Sequence, residues 1–223
     1  MDMRLSSVNV GAERQIRGAK ASGKTGIYKE PVDGPVRVTR EGLADDTVSD
    51  TENHGGVDQA VYLYGVPDYD WWAERLGREL PPGSFGENLT VTDLESARMN
   101  IGDRFHAGPV VLEVTAPRIP CVTLATRMGE PAFVKRFRAA ERPGLYCRVI
   151  HEGDVRAGDT VRYEPCEGET VGALEIFRDF FEPDPSEAAI RRHLAAPIAV
   201  RARVEKEEQL RRLLAQGEEA SRR

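Results

Sequence analysis

The run Ala116-Pro117-Arg118-Ile119-Pro120-Cys121 limits this chain more than any other stretch, because two prolines stand three residues apart in it. Each proline removes a backbone N–H and fixes φ, so the run cannot be the middle of a helix or of a central strand. It has to be a stiff connection. Residues 101–115 before it read as a hairpin, with a turn at Ala107-Gly108-Pro109 and an apolar strand over 110–114 that delivers the chain into the prolines. Stiffness also holds a side chain in place, and the run ends in a cysteine. A thiolate is both a nucleophile and a metal ligand, and Arg118 is placed to favour one; the plainer reading is a small buried apolar residue.

Short β-leaning segments recur along the chain. Residues 5–10, 35–39, 60–64, 84–91, 144–150 and 159–163 lean to β structure, each set off by glycine or proline, the last two joined by a glycine-containing turn. Before residue 166 helices are few. Tyr69, Trp72 and Leu76 recur at helical spacing with Asp68 as N-cap and Gly77 as stop, and Phe133, Val134, Phe137 and Ala140 share a face. Many short strands with few helices predict a β-barrel or a related closed sheet. After Cys166 the pattern turns helical. Thr170 is placed to cap a helix carrying Leu174, Phe177 and Phe181, and Asp184-Pro185-Ser186-Glu187 reads as an N-cap followed by a first-position proline. A third helix with Val204, Leu210, Leu213 and Leu214 starts at Pro197. The expected class is mainly β (α+β): a barrel domain over 1–166 with short peripheral helices, then a three-helix unit over 167–223.

A chain of 223 residues has room for one sizeable core and a small appendage. Its net charge of −6 argues against a general binder of nucleic acid or membrane surfaces. No apolar run approaches the roughly 20 residues of a membrane span, and the start Met1-Asp2-Met3-Arg4-Leu5-Ser6 lacks the apolar core of a signal peptide. A cytoplasmic location with no membrane or nucleic-acid partner is the expectation. Cys121, Cys147 and Cys166 are odd in number and include no CxxC, so neither a disulfide framework nor a zinc or iron–sulfur cage is suggested. Cys147 reads as core, alternating away from Arg148, and Cys166 falls at the junction of the two units. Any metal would have a sparse set of protein ligands.

Gly18-Ala19-Lys20-Ala21-Ser22-Gly23-Lys24-Thr25 matches the nucleotide phosphate-loop pattern letter for letter. A working phosphate loop follows a buried strand and opens a helix, whose N-terminal N–H groups do the binding. Here the preceding residues 13–17 are polar, and residues 26–35 hold two prolines and two glycines where the helix should be. A basic loop is the better description, with Lys24 and Lys29 still available to a phosphate.

Five segments taken in order, HGGVDQAVYLY (54–64), FGENL (85–89), MNIGDRF (99–105), PRIPC (117–121) and GLYCRVI (144–150), resemble the MOSC family, the molybdenum-cofactor sulfurase C-terminal domain, in its YiiM-type branch. The helical tail is similar to the three-α unit that follows the barrel in that branch. The resemblance implies a β-barrel-like domain that binds the molybdenum cofactor, with Cys121 as metal ligand and catalytic residue. It implies that His54, with Gly55 and Gly56, lines the pterin pocket or delivers a proton. Asp58, Gln59, Phe85, Gly86, Glu87 and Asn88 would meet the pterin. Lys24, Lys29 and Arg148 would meet its phosphate, and Arg118 would neutralise phosphate or thiolate. Plainer roles remain open for each: a surface ion pair for Arg118, turn-holding for His54, loop-fixing for the acids and amides, solvated charge for the rest. The implied activity is reduction of N-hydroxylated compounds such as hydroxylaminopurines and amidoximes. No dinucleotide, flavin or cysteine-cluster motif appears, so electrons would come from an external reductase, for which the C-terminal helices offer a docking surface. A homodimer is compatible with this reading. The alternatives are a cofactor or sulfur carrier without turnover and, on the phosphate-loop match, an NTPase.

Overall fold

The computed structural model describes residues 3–17, 23–49 and 55–221. Seven strands build the main sheet: β1 (Met3–Val10), β2 (Val61–Gly65), β3 (Leu89–Val91), β4 (Arg104–Ala107), β5 (Val110–Pro117), β6 (Leu145–His151) and β7 (Thr160–Glu164). Their order is β7-β4-β5-β6-β2-β3-β1, and β1 pairs again with β7, Met3 opposite Val161, which closes the sheet into a barrel. Closure satisfies backbone groups that an open sheet would leave on its edges. Every neighbouring pair is antiparallel except β2 and β3. The exception follows from the chain between them, where α1 (Val66–Leu76) makes the crossover that a parallel pair requires. The mainly β, barrel-type architecture expected from the many short strands is what the chain adopts.

Alternation sorts the core into two parts. In β2, Val61 and Leu63 point into the barrel while Tyr62 and Tyr64 point outward, and all four are buried. The outward residues join an aromatic layer in which Tyr64 stacks on Phe85 at 4.3 Å and Trp72 lies 4.9 Å from Phe133. This layer is covered by α1, α2 (Val122–Met128), α3 (Phe133–Ala140) and α4 (Ala173–Phe181). In β6 the same rule puts Leu145, Cys147 and Val149 inside and Tyr146 outside, so Cys147 is core as its position predicts. The β5–β6 register slips between Val114 and Ala116, a bulge that bends β5 just before it enters the prolines.

Helix starts depart from the sequence expectation in four places, in three of them because a side chain has a longer-range partner. Asp68 does not cap α1, whose N-cap is Gly65; it accepts from Ser96 N and Oγ and from Arg142 instead. Thr170 donates to the Ile101 carbonyl, and α4 begins after Gly172. Ser186, not Asp184, caps α5 (Glu187–Ala195), accepting from Ala189 N at 3.2 Å. The last helix, α6 (Val200–Ser221), starts beyond Pro197, since Arg148 takes the Pro197 and Ile198 carbonyls at 3.1 and 3.2 Å. Short pairings tie the loops to the barrel: Arg14–Gln15 with Lys24–Thr25, Glu30–Pro31 with β1, and Val36–Thr39 with both Gly42–Leu43 and Gly153–Val155. The last of these lies in the glycine-containing connection between β6 and β7. No helix among the described residues is long and apolar enough to cross a membrane.

Candidate functional site

A cavity lies against the outer faces of β2 and β6, where Tyr62 and Tyr146 form part of its wall. The proline run supplies another part. Pro117 ends β5, and Cys121 stands at the N-cap position of α2 with extended backbone, half-buried and facing the cavity. Held between a strand end and a helix start, its thiol has little freedom of placement. The three cysteines form no disulfide.

Arg118 is 4% exposed. One guanidinium nitrogen donates to the Phe85 carbonyl, and the group lies over the Tyr62 ring at 5.0 Å. Among the described residues no carboxylate comes within ion-pair distance of it. Burial opposes its charge, yet Tyr146, Tyr62 and Cys121 outweigh burial and raise its pKa, so it stays a cation. A ring face returns about 0.5–2 kcal/mol, against a desolvation penalty of several kcal/mol for a buried ion. The surface ion pair considered for Arg118 is therefore not found.

Lys29 is buried too, but it is paired with both oxygens of Asp46. Asp46 also accepts from Gly11 N and Asn88 Nδ2, each at 2.8 Å, and Asn88 Oδ1 accepts from Tyr62 N. Burial is the main cause of a lowered Lys29 pKa and the Arg118 charge adds to it, while Asp46 and Glu87 work against them. Lys24 reaches the cavity as well and pairs with Glu13 at 2.8 Å. The stretch that mimics a phosphate loop opens no helix: Lys24–Thr25 is a strand and Glu30–Pro31 is another. Its residues 18–22 lie outside the described part of the chain, as does His54.

The glycines of the first motif are placed by need. Gly55 has φ +81 and lines the cavity; a Cβ there would sit 2.9 Å from Val48. Gly56, also at positive φ, leads into a 3-10 turn over Val57–Gln59. In that turn Gln59 faces the cavity and Asp58 faces away. Asp58 accepts from Val200 N at 2.6 Å and pairs with Arg148 at 3.1 Å, so these two residues fasten α6 to the barrel. Phe85 is fully buried in the aromatic layer. Glu87 is fully buried beneath the loop: Tyr69 Oη (2.5 Å), Gly83 N (2.7 Å), Thr90 Oγ1 (2.9 Å) and Phe85 N (3.2 Å) all donate to it. Burial raises its pKa, and the hydrogen bonds oppose that rise.

The cavity thus gathers Cys121, Arg118, Lys24, Lys29, Gly55, Gln59, Gly86 and Asn88 from four separate stretches; Asp58, Phe85, Glu87 and Arg148 lie behind or beside it. Sequence reasoning passed over Thr123, Tyr62 and Tyr146, which also line it. The outward positions of β2 and β6 were the available signal for the two tyrosines. Three buried polar atoms around the cavity, Gln59 Oε1, Arg118 Nε and Thr123 Oγ1, find no hydrogen-bond partner among the described residues. Buried polar atoms are ordinarily paired. An amide, a hydroxyl and a guanidinium left open beside two aromatic rings and one thiol fit a polar heterocycle that carries negative charge and a soft metal, which is the donor set a molybdenum-bearing pterin requires.

Fold and site together define a class: a closed β-barrel with a cysteine-bearing polar cavity on its outer wall and a helical C-terminal extension. Residues 50–162 match the MOSC domain, and the chain belongs to the MOSC domain family. That family is associated with binding of the molybdenum cofactor. The Bacillus subtilis protein YflK is 38% identical over 152 residues, covering 68% of this chain and 69% of that one. A Gibberella moniliformis protein named a reductase is 36% identical over 164 residues, covering 69% of this chain but 28% of its own length. The crystal structure of YiiM from Geobacillus stearothermophilus superposes with a TM-score of 0.76 at 27% identity, covering 93% of this chain and 99% of that one.

Proposed function

We propose that this chain is a molybdenum-cofactor-dependent reductase of N-hydroxylated compounds such as hydroxylaminopurines and amidoximes. The observation that carries this reading is a single rigidly mounted thiol, Cys121, facing a cavity where Gln59 Oε1, Thr123 Oγ1 and Arg118 Nε are buried without a hydrogen-bond partner among the described residues. When bound, the cofactor supplies a two-electron couple suited to removing oxygen from an N–OH group; with two protons the products are the amine or amidine and water. Cys121 would hold the metal, and its placement between Pro120 and α2 keeps the thiol facing the cavity. Gln59 offers an amide edge to the pterin, Arg118 supplies positive charge for its anionic parts, and Asn88, Lys29 and Lys24, already bonded to Asp46, Tyr62 and Glu13, shape the wall beside it. Tyr62 and Tyr146 keep their protons, because burial raises both phenols, and their rings keep water off one side of the cavity. The electrons come from an external reductase.

The test is to express wild type and Cys121→Ser in a host that makes the cofactor, then measure molybdenum and pterin per chain. The variant is expected to lose at least tenfold in metal content; equal metal in both removes Cys121 as the anchor. Metal-loaded wild type, given a reductant, is expected to convert N-hydroxylaminopurine or benzamidoxime to the amine or amidine. Full metal loading with no product on either substrate would replace the reductase reading with a carrier module.

A further inference from the structure

Arg118 is a buried cation with no carboxylate partner among the described residues. Its neighbour Lys29 has a counter-ion in Asp46, and the carboxylate of Glu87 is already taken by four donors. Arg118 is left with the Phe85 carbonyl, the ring and hydroxyl of Tyr62, the nearby Cys121, and a buried Nε that finds no acceptor among the described residues. Thr123, 4% exposed, lines the same cavity five residues further on, and its hydroxyl finds no partner among the described residues. A chain that buries a charge normally buries its partner with it, because the cost of a lone ion is large. A guanidinium edge and a hydroxyl are also the donors that recognise oxyanions.

We infer that Arg118 and Thr123 form an oxyanion site that takes inorganic phosphate or sulfate when the cofactor is absent. The cavity wall is in this way electrically complete before loading, and cofactor entry becomes an exchange of one anion for another. The site stands on the open Arg118 Nε and Thr123 hydroxyl in one cavity; only the exchange step rests on the proposed function.

The full chain, produced in a host that cannot make the cofactor, tests this by thermal unfolding at constant ionic strength. Phosphate and sulfate are expected to raise the wild-type midpoint in a saturable manner that chloride does not reproduce. Arg118→Met is expected to unfold at a higher temperature than wild type without oxyanions, and to show no saturable rise with them. Thr123→Val is expected to bind phosphate several-fold more weakly, and Arg118→Lys to retain weakened binding. A wild type indifferent to phosphate overturns the inference. So does saturable stabilisation of equal strength in Arg118→Met, which would place the anion elsewhere. Should Arg118→Met fail to fold, unchanged phosphate affinity in both Arg118→Lys and Thr123→Val overturns it. Phosphate that binds the cofactor-free chain but does not slow uptake of added cofactor overturns the exchange step and leaves the reductase reading untouched.

Discussion

Glu87 and Arg118 are both buried charged side chains, and both meet the peptide of Phe85: Glu87 accepts from its nitrogen, and Arg118 donates to its carbonyl. There the likeness ends. Glu87 is saturated by donors from Tyr69, Gly83, Phe85 and Thr90, and it knots the loop beneath the aromatic layer. Arg118, on the far side of the same peptide, has a vacant Nε and no carboxylate among the described residues. A saturated buried charge marks scaffold, since the protein has supplied everything the group needs. An unsaturated one marks where a ligand supplies the rest. The two motifs that carry these residues looked equally chemical in the sequence, and only their hydrogen-bond accounts separate them.

The sharpest way to break the comparison is Glu87→Ala. It strands up to four buried donors and is expected to cost about 3–5 kcal/mol in denaturant unfolding; a loss below about 1 kcal/mol would mean that the knot is dispensable. Next in size is Gly86→Ala, at the residue between the two sides. Its φ is +74, and a Cβ would lie 2.7 Å from Ile27 and 3.3 Å from the Arg118 guanidinium. Left-handed strain of about 1–2 kcal/mol should lower the midpoint by a few degrees, and the displaced guanidinium should bind phosphate less well. Unchanged phosphate affinity would show that Arg118 is not held through this loop.

The smallest effect is one of pH. Burial raises the Glu87 pKa above its ordinary 4.5, so in that range the folded chain holds a proton that the unfolded chain has lost. The stability tied to that proton is present below pH 4.5 and is lost as pH rises through the raised native value. Glu87→Gln should remove its share of the downward slope, whatever it does to the absolute level. A slope unchanged by the substitution would assign it to Asp68, which burial shifts in the same direction.

Much of the barrel was legible because a period of two survives in β2, β5 and β6, and because Gly108-Pro109 allows only a tight turn in the hairpin. Helix starts were less so. Asp68, Thr170 and Asp184 obey local capping rules on paper, but two of them have partners far along the chain, and Asp184 instead accepts from Ser186 N. Local rules cannot see a bond between residues 68 and 142. The cavity residues show the same limit at shorter range. Asp58 and Gln59 are adjacent, and so are Gly86, Glu87 and Asn88, yet neighbours face opposite ways. A motif names the pair; the turn conformation decides which member meets the cavity.

Barrel closure by β1 and β7 carries a consequence for how the chain folds. Met3 pairs with Val161, so the first barrel strand to leave the ribosome waits for the last before it gains its second neighbour. Pairings of such long sequence separation are slow to form, because the loop must close before the contact rewards it. Until then β1 offers an open edge to other chains. Low growth temperature or slow induction should therefore raise the soluble yield by giving closure time to outrun association.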